Sequence, residues 1–302
     1  MRKLITIFLA VLAVVAVFSV KAEASVFLKI APGAAGSGSG GARTASAGDL
    51  GALYYNPAGL GSIRGTQIGG GHLDWLGGMS FNYAAGALRF KDGVMGISAT
   101  FLGYGDMDGR DESGEESGNF GVGDFALQVS YGREGKEGLS LGGGVKYIKQ
   151  SIGEDTAAGF AADMGILKKM GGKLSLGMSL RNLGPSMKFI SEEYSLPLTL
   201  SLGGGYEIGG MRLALDGIWG VNDKSFKLSF GTEYLPADFI TLRGGYLLKL
   251  AEGTGPVSGG EGNFGGLGGG IGFSALNYSI DYSYEPFGEL GSAQRFSITG
   301  RF

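Results

Sequence analysis

Two glycine-rich motifs are the first residues in this sequence whose types and spacing could do chemistry. Residues 36–41, Gly-Ser-Gly-Ser-Gly-Gly, satisfy the G-x-G-x-x-G pattern, which binds phosphate only within a strand–turn–helix unit that is not predicted here. Residues 138–142, Gly-Leu-Ser-Leu-Gly, satisfy the G-x-S-x-G pattern of a serine nucleophile. They lie within an alternating strand, however, and no histidine partner is in sight. We therefore predict no nucleotide site and no enzyme activity.

Metal-binding residues are the second possibility. An acidic run could bind divalent cations, but it lacks the ligand order of an EF-hand and is better interpreted as a solvated loop. Its members are Asp106, Asp108, Asp111, Glu112, Glu115 and Glu116. The sequence has one histidine, His72, and no cysteine, so zinc and iron lack a ligand set. We predict no metal and no cofactor, and interpret His72 as an ordinary strand residue.

The composition excludes three further classes. The 302 residues carry a formal net charge of -3, so no basic surface indicates a nucleic-acid partner. Glycine contributes 62 residues without a Gly-X-Y period, and only 7 prolines accompany them, which excludes collagen. Because 43% of the residues are hydrophobic, a disordered chain is also excluded.

The first residues predict export. Arg2 and Lys3 precede an apolar stretch at 4–20, and Ala-Glu-Ala at 22–24 fits the small-x-small rule of signal peptidase. We predict a signal peptide at 1–24 and a mature chain that begins at Ser25. A single membrane-anchor helix is the competing interpretation, but the apolar stretch is at the short limit for a span.

From residue 66 to the end, the hydrophobic period is two, which is typical of β-strands. In residues 174–181, for example, four apolar side chains alternate with Ser, Gly, Ser and Arg. About fourteen such segments follow one another, each near the length that crosses a bilayer as a tilted strand. They start near Thr66, Gly78, Gly93, Gly118, Gly138, Ala157, Gly172, Ser195, Gly210, Lys224, Asp238, Gly262, Ala275 and Ala293. We predict an all-β fold, a transmembrane antiparallel β-barrel of about 14 strands.

The connections and aromatic residues agree with such a barrel. Turns predicted at the end that carries the termini are short, and loops predicted at the other end include 105–119, 184–194 and 251–261. Aromatic residues fall at strand ends, as in a membrane girdle. The predicted inner girdle is Phe90, Tyr131, Tyr206, Tyr234, Phe239 and Phe302, and the outer one is Trp75, Tyr104, Tyr147, Trp219 and Tyr246. A secreted soluble β-sandwich or propeller is the alternative, although its core would tolerate few of the charges in the non-aromatic phase.

On each predicted strand, the face opposite the aromatic residues carries charges of both signs and many glycines. The charged residues are Asp124, Lys146, Asp163, Arg181, Arg212, Asp216, Lys227, Arg243, Asp281, Arg295 and Arg301. They indicate either a polar path or, as we favour, ion pairs that rigidify the barrel and hold the N-terminal stretch. Glycine runs at 142–144, 203–205 and 265–270 either admit a segment close to the inner wall or merely fill the lumen.

Four stretches resemble a known family. Residues 41–60, which include Tyr54, Tyr55, Asn56, Pro57 and Ala58, are similar to the N-terminal signature of the PorV/PorQ family, itself similar to the FadL-type fatty-acid transporters. Residues 276–302 resemble the end of that family, and residues 180–185 and 196–199 resemble its middle. The likeness covers the whole mature chain.

The resemblance implies a fourteen-stranded outer-membrane barrel at 65–302 and an inward-folded plug at 25–64, with its motif at Tyr54, Tyr55, Asn56, Pro57 and Ala58. Pro57 would fix a turn and Asn56 would satisfy local backbone groups. The alternating C-terminal residues resemble the signal read by the outer-membrane assembly machinery. They are Phe296, Ile298 and Phe302.

Two functions follow from this resemblance. The first is passive, FadL-like transport of hydrophobic small molecules such as long-chain fatty acids across the outer membrane. The second is a PorV-like, non-conducting adaptor of type IX protein secretion. A purely structural barrel is a third hypothesis. In each case the expected surroundings are outer-membrane lipid.

Overall fold

A computed structural model describes residues 23–110, 113, 115–251 and 266–302. Fourteen antiparallel strands form a closed barrel, and the first strand pairs with the last to complete the ring. The strands are β1 (Gln67–Asp74), β2 (Ser80–Phe90), β3 (Gly93–Arg110), β4 (Glu116–Glu134), β5 (Leu139–Ile152), β6 (Asp155–Met170), β7 (Leu174–Leu183), β10 (Thr199–Ile208), β11 (Met211–Gly220), β12 (Phe226–Ala237), β13 (Ile240–Ala251), β14 (Leu267–Ala275), β15 (Tyr278–Pro286) and β16 (Ser292–Arg301). The predicted fourteen-strand barrel is therefore confirmed.

One connection contains a hairpin of its own. Strands β8 (Met187–Phe189) and β9 (Glu192–Tyr194) pair with each other, so β7 pairs with β10 across them. We call the end of the barrel that contains Gln67 and Phe302 the terminal end, and the opposite end the loop end.

The side-chain pattern explains why the sheet closes. On β11, Leu213 and Leu215 lie outside with 45% and 47% of their surface exposed, whereas Asp216 is fully buried inside. Apolar side chains thus cover the outer surface, and polar and small ones face the lumen. A bilayer has no water to pair with free backbone groups, so a sheet that crosses it must have no open edge.

Two loop predictions need correction. The predicted loop at 105–119 is mostly strand, because β3 continues to Arg110 and β4 begins at Glu116. The predicted loop at 184–194 contains the β8–β9 hairpin. Three other predictions fall outside the described residues: the signal peptide as far as residue 22, the loop after Ala251 with its strand start near Gly262, and the acidic positions Asp111 and Glu112.

Two of the predicted girdle residues are also placed differently. At the terminal end, the girdle side chains of Phe90, Tyr206, Tyr234, Phe239 and Phe302 are exposed. At the loop end, Trp75 packs on Phe287 with ring centroids 5.2 Å apart, and Tyr104 donates a hydrogen bond of 2.8 Å to Asp124 Oδ2. The girdle prediction is wrong for Trp75 and Tyr104, because their side chains pack against the buried interior.

Residues 23–66, here called the N-terminal segment, contain only short helices. These are the 3-10 turns Val26–Lys29 and Pro57–Ser62, and the helices α1 (Ala34–Gly38) and α2 (Ala52–Tyr55). The turn Pro57–Ser62 contacts β3 to β6, while α1 contacts β13 to β16. A short segment that touches opposite sides of a closed ring lies inside it. No helix of the described residues is long and apolar enough to cross a membrane.

The segment contributes to two buried apolar clusters. At the loop end, Phe27, Leu28 and Ile30 pack with wall residues that include Phe81 and Ile148. Near the terminal end, the segment's residues Leu50, Ala52, Leu53, Leu60 and Ile63 pack with Ala85, Ala87 and Val94 of the wall. The core of this barrel is thus built between the wall and the segment.

Substitutions on β11 test whether the outer surface faces lipid. Leu215 lies midway along the exposed face, and Met211 lies at the terminal end of the same face. We expect Leu215→Arg to lower the free energy of unfolding in lipid vesicles by about 2–4 kcal/mol, and Met211→Arg by only about 0–1 kcal/mol, because the cost of a charge falls towards the membrane interface. Denaturant titration of the refolded variants measures both values, and equal losses would contradict a lipid-facing surface.

Candidate functional site in the barrel lumen

The motif at residues 54–58 lies in the middle of the N-terminal segment, where Asn56 is fully buried. Its Nδ2 donates to the carbonyl oxygens of Thr44, at 2.8 Å, and of Ile166 in β6, at 3.1 Å. Its Oδ1 accepts from the backbone N–H of Ala58 at 3.1 Å, and Pro57 begins the following 3-10 turn. Asn56 therefore joins two parts of the segment to each other and to the wall.

Inward-facing glycines form the surface on which the segment lies. A Cβ added at Gly142 would be 2.3 Å from the carbonyl carbon of Pro57, and one at Gly165 would be 1.8 Å from Asn56 Oδ1. Similar close approaches occur on other strands. They are at Gly132, Gly177, Gly203, Gly231, Gly245 and Gly268. These glycines admit the segment to the wall, which supports the first explanation of the glycine runs for Gly142, Gly203 and Gly268.

Charged groups fix the segment at the terminal half of the lumen. The buried Arg43 donates to Asp49 of the same segment and, at 2.5 Å, to Glu233 of β12. Burial alone would raise the pKa of Asp49, but Arg43 and Arg212 outweigh it and hold that pKa below its usual value. Arg212 of β11 also donates to the Ala45 oxygen at 3.0 Å. The segment is thus tied to two neighbouring strands.

Tyr54 and Tyr55 adopt different environments. The Tyr54 hydroxyl donates to the Lys29 oxygen at 2.8 Å, and the Arg181 guanidinium lies 4.7 Å from the centre of its ring. Tyr55 meets Tyr54 edge to face, at 4.8 Å, and lies against Gly36. Its hydroxyl has no hydrogen-bond partner among the described residues, and burial raises the pKa of Tyr55.

Two cavities lie on either side of this tyrosine pair. The first has a volume of about 140 Å³ and is lined by Trp75, Phe287 and Leu267 of the loop end. The second, of about 250 Å³, extends from Phe27 and Phe81 towards Arg301 near the terminal end. Both cavities are lined by the same three residues of the segment, Ile30, Tyr54 and Tyr55. These three residues therefore lie between the two cavities, and we call them the partition.

Most of the inward charges that the sequence predicted are engaged with partners. Lys146 is 3.2 Å from Asp163, Arg243 is 2.6 Å from Asp281, and Arg295 is 2.5 Å from Glu285. Arg181 donates instead to the Tyr54 oxygen at 3.1 Å. The three ion pairs join strands of the wall, as predicted for pairs that rigidify the barrel, and the Arg181 contact reaches the N-terminal stretch.

The C-terminal residues singled out in the sequence lie away from the lumen. Phe296, Ile298 and Phe302 are 49%, 50% and 60% exposed on the outer surface, while Ser297 between them is buried. Thr66 and Phe302 exchange backbone hydrogen bonds of 2.6 and 2.8 Å beside the β1–β16 pair. The structure thus keeps these residues apart from the residues 54–58.

Several lumen residues were not identified from the sequence. Phe27, Leu28 and Ile30 build the apolar end of the second cavity, and the only sequence signal for them was an apolar run after the predicted cleavage site. Gln128 donates both to the Leu53 oxygen, at 2.9 Å, and to Asp163, at 3.1 Å. It therefore links the segment to the Lys146–Asp163 ion pair.

The closed fourteen-strand barrel is the fold of FadL-type outer-membrane transporters. It is similar to the toluene transporter TbuX of Ralstonia pickettii, with a TM-score of 0.63, 13% identity, and coverage of 89% of this chain and 98% of that one. The toluene transporter TodX of Pseudomonas putida gives a TM-score of 0.64, 13% identity, and coverage of 89% and 98%. A FadL homologue of Pseudomonas aeruginosa gives a TM-score of 0.57 and 13% identity, and the match covers 89% of this chain and 97% of that one.

At 13% sequence identity, the similarity to these solved structures shows the fold alone. No protein-family profile matches the sequence, and no curated protein is similar to it. The resemblance to the PorV/PorQ family therefore stays a prediction.

Adjacent glycines of β5 provide a test of the contact between wall and segment. Gly142 faces the segment, whereas a Cβ at Gly143 would meet only the Asp163 oxygen, at an ordinary 3.5 Å. We expect Gly142→Ala to displace residues 56–58 and to increase cleavage of the segment by an added protease, because the backbone of Pro57 cannot share that space. Limited proteolysis of the refolded barrel measures this, with Gly143→Ala as the matched control; equal cleavage of both variants would contradict the contact.

Proposed function

We propose that this protein transports hydrophobic small molecules passively across the outer membrane, with residues 25–64 as a plug and residues 65–302 as the barrel. The single observation that carries this proposal is the partition of the lumen by Ile30, Tyr54 and Tyr55 into two cavities. A solute that enters from the loop end reaches the first cavity, and Ile30, Tyr54 and Tyr55 lie between that cavity and the second.

The cavities have the size of one small apolar molecule. An enclosed apolar cavity of about 150 Å³ is enough to bind benzene in a protein. The two volumes here, about 140 and 250 Å³, are on that scale. The loop-end portion of the second cavity is lined by Phe27, Leu28 and Phe81, which favours an aromatic ring or an acyl chain over a sugar.

The charges in the lumen are compatible with an apolar solute. Arg43, Arg243 and Lys146 line the second cavity, and each is paired with a carboxylate. Paired charges of both signs do not create the single-sign field that would select ions. The Arg43–Glu233 pair holds the segment to the wall and the other two join strands of the wall, while the apolar side chains meet the solute.

The solved structures of the same fold support this class of solute. Two of them are described as toluene transporters and another as a monoaromatic hydrocarbon channel. By that analogy, the solute of this protein is a single-ring aromatic compound; a long-chain fatty acid is the second candidate, from the sequence resemblance to the FadL-type fatty-acid transporters. The loop end then faces the outside and the terminal end faces the periplasm.

The remaining assignments belong to the same proposal. Residues 1–24 are a signal peptide that is removed on export. The motif from Tyr54 to Ala58 positions the plug. The outward-facing Phe296, Ile298 and Phe302 are the signal read by the outer-membrane assembly machinery, and their exposure leaves them available to it.

Uptake into vesicles that hold the refolded protein tests the transport proposal. Labelled toluene, a labelled long-chain fatty acid and labelled sucrose are compared with protein-free vesicles. We expect accelerated uptake of an apolar solute and none of sucrose. If circular dichroism shows a folded barrel but no solute enters faster, the transport proposal is wrong, and binding of exported proteins becomes the hypothesis to test.

Removing one side chain of the partition tests the route itself. Tyr54→Ala joins the two cavities, so we expect severalfold faster uptake of the apolar solute. Tyr206→Ala is the matched control, because it removes the same side chain from the outer surface of β10. If Tyr54→Ala and Tyr206→Ala change uptake alike, the solute does not pass between these cavities.

A further inference from the structure

The predicted start of the mature chain is buried at the loop end of the lumen. Ser25 is 1% exposed, and its backbone N–H and hydroxyl both donate to Gln150 Oε1 of β5, at 3.1 and 2.9 Å. The preceding residue is held as well, because the Ala24 N–H donates to the Ser195 oxygen at 2.8 Å. The nitrogen that cleavage after Ala24 would release is therefore already in contact with the wall.

Behind Gln150 lies a carboxylate without a positive partner. Asp124 of β4 is 3% exposed and accepts hydrogen bonds of 2.8 Å from Gln150 Nε2 and from the Tyr104 hydroxyl. Both donors are neutral, and Asp124 forms no salt bridge within the part of the chain that the structure describes. A buried carboxylate is stable only when a positive charge or several donors compensate for its lost hydration.

Two features make the uncleaved junction unfavourable. Ser25 has φ 56° and ψ 39°, the left-handed conformation that non-glycine residues seldom adopt. Glu23 Oε1 is buried and has no hydrogen-bond partner among the described residues. Both would disappear with residues 1–24, because an N-terminal residue has no φ angle and Glu23 would be gone.

Little that stabilises the segment would be lost at the same time. Glu23 pairs with Lys29, but Lys29 also pairs with Asp223, at 2.7 Å. The Lys29–Asp223 pair joins the segment to the loop after β11 and does not need Glu23. The cation would therefore keep a carboxylate partner after cleavage.

We propose that Asp124, Gln150 and Tyr104 form a binding site for the N-terminal ammonium group of the mature chain. Hydrolysis of the Ala24–Ser25 bond consumes one water, leaves a carboxylate on Ala24 and an amine on Ser25, and the amine takes up a proton at neutral pH. The new ammonium lies against the Gln150 amide, which connects it to the Asp124 carboxylate. Removal of the leader thus places a positive charge one side chain away from the buried Asp124 carboxylate, which the precursor lacks.

This inference rests on the proposed cleavage after Ala24 and is independent of transport. The mass of the exported protein, isolated from outer membranes, gives the first test. A chain that begins at Ser25 is expected; any other start would overturn the inference while leaving the uptake results unaffected.

A four-protein comparison tests the pairing. Chains that begin at Ser25 or retain Ala24 are prepared with Asp124 or with Asp124→Asn, and their unfolding equilibria are measured by denaturant titration. With Asp124, retaining Ala24 should raise the unfolding equilibrium constant on the order of a hundredfold, as when one member of a buried ion pair is removed. With Asp124→Asn, retaining Ala24 should have a much smaller effect. Equal effects in both backgrounds would overturn the proposal.

A second measurement uses the unchanged protein, so it does not depend on whether Asp124→Asn folds. The rate at which an amine-reactive probe modifies the α-amine of Ser25 is followed by mass spectrometry of the N-terminal peptide. Strong protection in the folded barrel is expected, and reaction as fast as in the unfolded chain would overturn the site. Asp155→Asn, which removes an exposed carboxylate from the loop end of β6, is the control and should leave the protection unchanged.

Discussion

The contact between the backbone of the N-terminal segment and the inward-facing glycines is the constraint on which the rest of this structure depends. At Gly142, Gly165 and Gly245 the segment's atoms occupy the space that a side chain would fill. The wall can therefore have no inward side chain at these positions, and the segment has no freedom to move sideways there. The inward-facing glycines at these positions follow from this close approach.

Charged side chains also lie at this contact between the segment and the wall. Arg43 projects from the segment towards Glu233 of the wall, while Arg181 and Arg212 project from the wall towards backbone oxygens of the segment. Wall and segment thus exchange donors and acceptors across a surface that contains few bulky side chains. One apolar cluster lies at the loop end and the other near the terminal end, and both adjoin these polar contacts. Each cavity therefore has an apolar part and a polar part.

Much of the barrel was predictable because each strand repeats a two-residue period and each turn ends it. The sequence could not indicate that β3 and β4 continue beyond the apolar stretch to Arg110 and Glu116, because a strand that leaves the bilayer no longer alternates between apolar and polar residues. Trp75 and Tyr104 were misplaced for a related reason. An aromatic residue at a strand end has the same sequence context whether it faces lipid or covers the mouth of the lumen.

The site was less predictable than the fold. Asn56 and Pro57 stood out as a turn, but their partners depend on the three-dimensional register that brings Ile166 and Gly142 to the same height. Gln128 gave no local signal at all, because a polar residue in a strand reveals its partner only when the opposite wall is known. Ser25 was predicted only as the start of the mature chain, with no sign of its contact to Gln150. Contacts across a lumen join residues that are far apart in sequence, and periodicity contains no information about them.

The path of the chain through its own barrel has a consequence for the order of assembly. The segment begins at the loop end, near Ser25, and leaves the lumen at the terminal end, where Thr66 pairs with Phe302. The two strands that complete the ring, β1 and β16, are the first and the last in the chain. As long as β16 has not paired, the sheet is open along one side, and the segment can be laid against its glycines without being threaded. If the segment is laid down first, the pairing of β1 with β16 shuts the wall over a lumen that is already filled.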